Sequence, residues 1–321
     1  MPDPDETTRP HEEVLDEVYR RHAASDPFLP ITHFLDHTTM GAEALVALGL
    51  GDRVEAWASR HRVRPYDPPT TGAAIATDWP RALGRRDCHG DWLRDLEAEL
   101  STRPYRDVLA TWVPRLAHDV GAFLFHGLIR TAHATRALAH RDTPARRAEL
   151  ARGLALWAVG VRPPPRTAAD ADTSGLTPHR ADFLGFARVG AVTFLAAPNV
   201  PAVHLITGPM AYLMLATCLD ETTHRLARAS FARTHAAAAA RFPALRDRMR
   251  AAPTVALDPN FMAALAEQRD AHPCKLTEAA LRAHAEADDP LFLKAAGQAL
   301  HLHGLRALLG VARAALTRRV A

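Results

Sequence analysis

Any chemistry in this chain turns on histidine: the sequence holds 18 of them, several at helical spacing. In the segment Ile31–Met40, His33 and His37 are four residues apart. On a helix they would share one face, at a separation that suits one metal ion or one substrate. The plainer alternative is a helix start with two half-exposed imidazoles. Further on, His126, Arg130 and His133 fall at i, i+4 and i+7 in the apolar run FLFHGLIRTAHA. Either they line a polar site, or they are core histidines with Arg130 paired to an acid such as Asp119, because a buried guanidinium needs a partner. Gly127 in the same run implies the close approach of a neighbouring element. His204 stands where the chain enters another apolar helix and, taken alone, reads as a core histidine.

His272 and Lys275 lie three residues apart at the opening of a helix. The positive end of the helix dipole disfavours an ammonium there. That setting favours an amine that is neutral, or one carboxylated by carbon dioxide into an anionic oxygen ligand. The alternative is a lysine that reaches out to water. Of the 39 basic residues only Lys275 and Lys294 are lysines, so a lysine here calls for an explanation that arginine, always protonated, would not.

These residues need helices to position them. Apolar residues recur three and four apart over Glu12–Arg21, Gly41–Leu50, Trp92–Leu100, Asp107–Val113, His118–His140 and Thr143–Val159. The pattern continues over Pro209–Thr217, Glu221–Phe242, Phe261–Asp270, Leu276–Ala287 and Pro290–Leu316. One run, Val189–Phe194, looks strand-like, too little for a sheet. The expected class is all-α: a single large helical domain over 28–321 with a metal site between helices, preceded by a polar tail and first helix over 1–27. The Pro-, Ser- and Thr-rich stretch 161–178 reads as a long loop.

Composition narrows the function. A formal charge of +3 without a basic block interleaved with aromatics argues against nucleic acid. Three scattered cysteines form no CxxC pair, the first residues are acidic and polar rather than leader-like, and no apolar run reaches spanning length. The expectation is a soluble cytoplasmic protein with no membrane partner. No GxGxxG, P-loop, HExxH or GxSxG motif is present, so neither a flavin nor a nicotinamide cofactor is expected.

In order, DHTTM (Asp36–Met40), WVPRL (Trp112–Leu116), HGLIRTAHA (His126–Ala134), ELARGLALWA (Glu149–Ala158), VHLITGPMA (Val203–Ala211) and HPCKLTEA (His272–Ala279) resemble the questin oxidase-like family over roughly residues 28 to 315. The resemblance implies a non-haem iron oxygenase that opens or oxygenates a ring of an anthraquinone-like polyketide with O2. It implies Fe(II) held by His37, His126, His204 and His272, with carboxylated Lys275 as an oxygen ligand. His33 and His133 are alternative ligands. Arg130 and His133, on the face of His126, are expected to steer a phenolate or carboxylate substrate, and Asp36 to orient a ligand imidazole. In the family an acidic residue usually precedes the last histidine, where this chain has Ala271. Two other classes fit the same residues: a helical polyphenol-binding protein without catalysis, and a zinc-dependent hydrolase. A homo-oligomer is compatible with either.

Overall fold

The computed structural model describes residues 11–28, 35–162, 180–241 and 254–302. Among them the chain forms fourteen α-helices and no sheet, which meets the expectation of an all-α domain. In order these are α1 (His11–Arg21), α2 (Thr38–Ala47), α3 (Val54–Ser59), α4 (Ile75–Ala82), α5 (His89–Thr102), α6 (Tyr105–Leu116) and α7 (His126–His140). They continue as α8 (Pro144–Gly160), α9 (Arg180–Ala196), α10 (Val200–Leu215), α11 (Glu221–Arg241), α12 (Pro259–Ala266), α13 (His272–Ala287) and α14 (Pro290–Gly297). No helix is long and apolar enough to cross a membrane among the described residues.

The pair α7 and α8 forms the central hairpin. Thr143 caps α8 by accepting from the Arg146 amide, with Pro144 at the first turn. Two glycines let the backbones meet. A Cβ on Gly127 would lie 2.3 Å from Trp157 Cα, and one on Gly153 would lie 2.7 Å from the Thr131 nitrogen. Around this hairpin, α10 packs against α7, α9 and α13, and α13 packs against α2. The junction of α2, α7, α10 and α13 is where the sequence-derived histidines meet.

Several elements differ from the sequence reading. The helix expected over His118–His140 is broken: a short 3-10 turn over Ala117–Asp119 is followed by Phe123, Leu124 and Phe125 at φ of 47°, 55° and 67°. Three successive left-handed residues, none of them glycine, turn the chain sharply and start α7 afresh at His126. The strand-like run Val189–Phe194 is helical, inside α9. Its β-branched residues Val189, Val192 and Thr193 give it a strand-like look, although the run is too short to show a helical period. Helix α10 starts at Val200 rather than Pro209, capped by Asn199, whose side chain accepts from the Ala202 amide. His204 is therefore a mid-helix residue. The tail up to residue 10, the loop 161–178 beyond Arg162, and the expected helix beyond residue 302 lie outside the described residues.

Candidate metal centre

Each of the four expected histidines is delivered by a different element. His37 is the residue that caps α2, with non-helical φ of −109°. His126 is the first residue of α7, aimed inward by the left-handed turn before it. His204 sits in the middle of α10, and His272 is the first residue of α13. Their ligand atoms all lie within 4.8 Å of one another, and all four residues are buried. His37 Nε2 is 2.6 Å from His126 Nε2, which is 3.1 Å from His204 Nε2. His33, which was expected to share a helical face with His37, lies outside the described residues. His37 is not on a helix in any case.

The opposite ring nitrogens fix the tautomers of three of the four rings. His126 Nδ1 donates to the Phe123 carbonyl, and His204 Nδ1 donates to the Val200 carbonyl at 2.8 Å. His272 Nδ1 donates to Asp270 Oδ1 at 2.5 Å. A carbonyl only accepts, so in the neutral rings the hydrogen sits on Nδ1 and the lone pair on Nε2. The lone pairs of His126 and His204 therefore face each other at 3.1 Å, an arrangement that is repulsive without a cation between them. Metal-binding imidazoles characteristically hold their second nitrogen in this way.

Electrostatics favours the neutral, ligating form. Burial depresses His37 and His126 well below the ordinary histidine value, with Lys275 adding to it. His204 is depressed in the same way by burial and then by His126. His272 is lowered too, since burial outweighs Asp270. Lys275, in the first turn of α13, is fully buried, and burial pulls its amine down to about 7. Lys275 Nζ and His272 Nε2 are buried without a hydrogen-bond partner among the described residues, as is Thr207 Oγ1 one turn beyond His204. Unpartnered polar atoms of this kind, beside the facing lone pairs of His126 and His204, suit a place built to hold an ion. The donor set fits a divalent transition metal.

Arg130 and His133 lie outside the four-imidazole set. Arg130 forms a two-pronged pair with Glu149, Nε to Oε1 at 2.7 Å and Nη2 to Oε2 at 2.9 Å. Asp119, the acid suggested by the sequence, is instead paired with Arg162. Glu149 is nineteen residues away, on α8, and only the hairpin brings it opposite. His133 Nδ1 bonds Glu43 Oε2 at 2.5 Å, and Glu43 also receives Arg136. Burial raises Glu43, but Arg136 and His133 outweigh it and hold the carboxyl at about 2. Arg136 continues to Glu278, and this ionic network borders a cleft of 590 Å³ that none of the four imidazoles lines.

Asp36 bonds no ligand imidazole among the described residues. Its Oδ1 accepts from the amide and hydroxyl of Thr38, closing the turn into α2, and its Oδ2 from Ser25 Oγ at 3.3 Å. That turn positions His37 through the backbone. Asp270, which the sequence reading passed over, supplies the acid expected at position 271; its place two residues before a helical histidine was the available signal. Comparison with protein-family models gives no match to this chain, and comparison with curated proteins gives no significantly similar one.

Proposed function

We propose that this protein is a non-haem iron-dependent oxygenase that uses O2 to open or cleave a ring of a polycyclic aromatic, anthraquinone-like compound. The observation that carries the reading is the convergence of four buried imidazoles, from the cap of α2 and from α7, α10 and α13, with their ligand atoms all within 4.8 Å of one another. The substrate class comes from the resemblance to the questin oxidase-like family.

Lys275 completes the set in this reading. Its amine adds to carbon dioxide, forming an N–C bond and releasing a proton, and the resulting carbamate is an anion at the positive end of α13. Burial keeps the amine short of full protonation at neutral pH, as that addition requires. Four imidazoles and one carbamate oxygen would occupy five of the roughly six positions of an octahedral ion. A catalytic zinc site commonly keeps three protein ligands and a water, so this donor set is too rich for the hydrolase alternative. Bound iron supplies the one-electron chemistry that dioxygen demands. The protein's own part is to hold the rings of His126, His204 and His272 by Phe123, Val200 and Asp270, and to exclude bulk water from them.

Oxygen uptake with a panel of hydroxyanthraquinones tests the activity. Uptake that tracks loss of substrate and depends on iron is expected. Turnover of an ester or lactone without oxygen would replace the reading with the zinc hydrolase. Binding without uptake would replace it with the polyphenol carrier.

A further inference from the structure

A second layer of polar groups follows the four ligand histidines, further along the same helices. Glu43 comes six residues after His37, His133 seven after His126, Met210 six after His204 and Glu278 six after His272. Six residues advance a helix by about 9 Å, so α2, α7, α10 and α13 each carry one member of either layer.

Arg136 of α7 is the centre of the second layer. Its Nε and Nη2 donate to the two carboxylate oxygens of Glu43, both at 2.6 Å, and its Nη1 donates to Glu278 Oε1. His133 Nδ1 meets Glu43 Oε2 at 2.5 Å from the same helix. Arg282, one turn beyond Glu278, donates Nε to that carboxylate at 3.0 Å and Nη1 to the Met210 carbonyl at 2.7 Å. One connected network thus joins every element that delivers a histidine. Burial raises Glu278, but Arg282 and Arg136 outweigh it, so the carboxyl stays ionised.

Stability does not explain such a network. Glu43 and Glu278 are 3% and 5% exposed, and withdrawing charges from water costs about what their pairing returns. Apolar side chains of similar volume would hold the helices together as well. What the ions add is direction. A guanidinium is a rigid planar fork, and two prongs on Glu43 fix how α2 is turned against α7. The third prong sets α13 against both. His37, His126 and His272 cap or begin these helices, so any rotation of a helix is carried to its imidazole.

We infer that Arg136 is a positioning residue of the metal centre, and that through Glu43 and Glu278 it sets how the ligand nitrogens stand to one another. The inference rests on the iron centre of the proposed oxygenase, and it gives the ionic layer a role in metal affinity rather than in stability.

Cobalt(II), whose visible absorption reports the arrangement of its ligands, is titrated into metal-free full-length protein. Arg136→Lys keeps a cation but loses the fork. It is expected to bind cobalt about tenfold more weakly, with a shifted visible band. Asp16→Asn is the control. It weakens the Asp16–Arg146 pair, 2.6 Å between α1 and α8, neither of which carries a ligand. That variant should lose stability yet keep the affinity and spectrum of wild type. Glu43→Leu, Arg136→Met and Glu278→Leu together remove the charges at once. This triple variant should melt no lower than wild type yet bind cobalt as weakly as Arg136→Lys, and it decides the matter where Arg136→Lys folds poorly.

Cobalt bound alike by wild type and Arg136→Lys would overturn the inference and leave the metal centre standing, and so would a triple variant with wild-type affinity. Equal weakening in Asp16→Asn would overturn it as well, as an effect of stability alone. Wild type that binds no cobalt would remove the metal centre and the inference with it.

Discussion

His126 and His204 face each other Nε2 to Nε2 at 3.1 Å, and each has committed its other ring nitrogen to a backbone carbonyl. Neither ring has a hydrogen left for the other while both are neutral. Burial and the nearby Lys275 amine oppose the imidazolium that would let them share a proton. A bound cation resolves the conflict.

Gly127→Ala should disable the centre from outside it. The added Cβ would fall 2.3 Å from Trp157 Cα and 2.4 Å from its Cβ, where α7 and α8 have no slack. Overpacking of this kind costs about 1–3 kcal/mol, and the displaced start of α7 carries His126 with it. Denaturant titration and metal content of the same preparation are both expected to fall. A variant with wild-type stability would show that the helices separate freely.

Arg130→Ala should act first on stability. It leaves the buried Glu149 carboxylate without its guanidinium, a loss of about 3–5 kcal/mol for a broken buried pair. Arg130→Met combined with Glu149→Leu should recover most of it, since no charge is then stranded. Urea unfolding of the single and double variants decides. An Arg130→Ala protein as stable as wild type, with a raised substrate KM, would instead make Arg130 a substrate-steering residue.

The sequence made the all-α class legible, because the 3.6-residue period needs only neighbours along the chain. The four ligand histidines were legible as segments, although their spacing could not say that they meet. His33–His37 looked like the helical pair, whereas His37 lies at a cap and owes its place to the Asp36–Thr38 turn. The left-handed run at Phe123–Phe125 left no trace in residue type, since no glycine marks it and surrounding packing must hold it. Partner choice was the least visible feature. Glu149 rather than Asp119 meets Arg130 because of how α8 folds back on α7, which no local pattern encodes.

The metal-free protein should lose stability in acid earlier than carboxylates alone would cause. His37, His126, His204 and His272 all lie below the ordinary value of 6.5 in the folded state, chiefly through burial. As pH falls, the unfolded chain takes up protons at 6.5 while the folded chain does not. Their contribution is therefore largely present above pH 6.5 and is lost progressively below it, ahead of the unfolded glutamates, whose midpoint is 4.5. His22, His89 and His235 act in the same sense. Melting temperatures across that window should fall steadily; a flat profile down to pH 4.5 would mean that the imidazoles are not buried neutral.

Lys275 offers the most selective substitution. Lys275→Arg keeps a long basic side chain but cannot form a carbamate, so it is expected to abolish iron binding. Lys275→Glu supplies a carboxylate on a shorter arm and should restore part of it. Iron content and carbon-dioxide dependence of reconstitution would be measured on folded protein. Full iron occupancy in Lys275→Arg would remove the lysine from the ligand set and leave the four histidines.

The most direct measurement is the iron content of protein purified without oxygen and reconstituted with ferrous iron, alongside His126→Ala. The four-imidazole centre predicts about one iron per chain in wild type and a near-complete loss in the variant. Wild type that holds less than about a tenth of an equivalent after reconstitution, or a His126→Ala protein that holds as much as wild type, would contradict it.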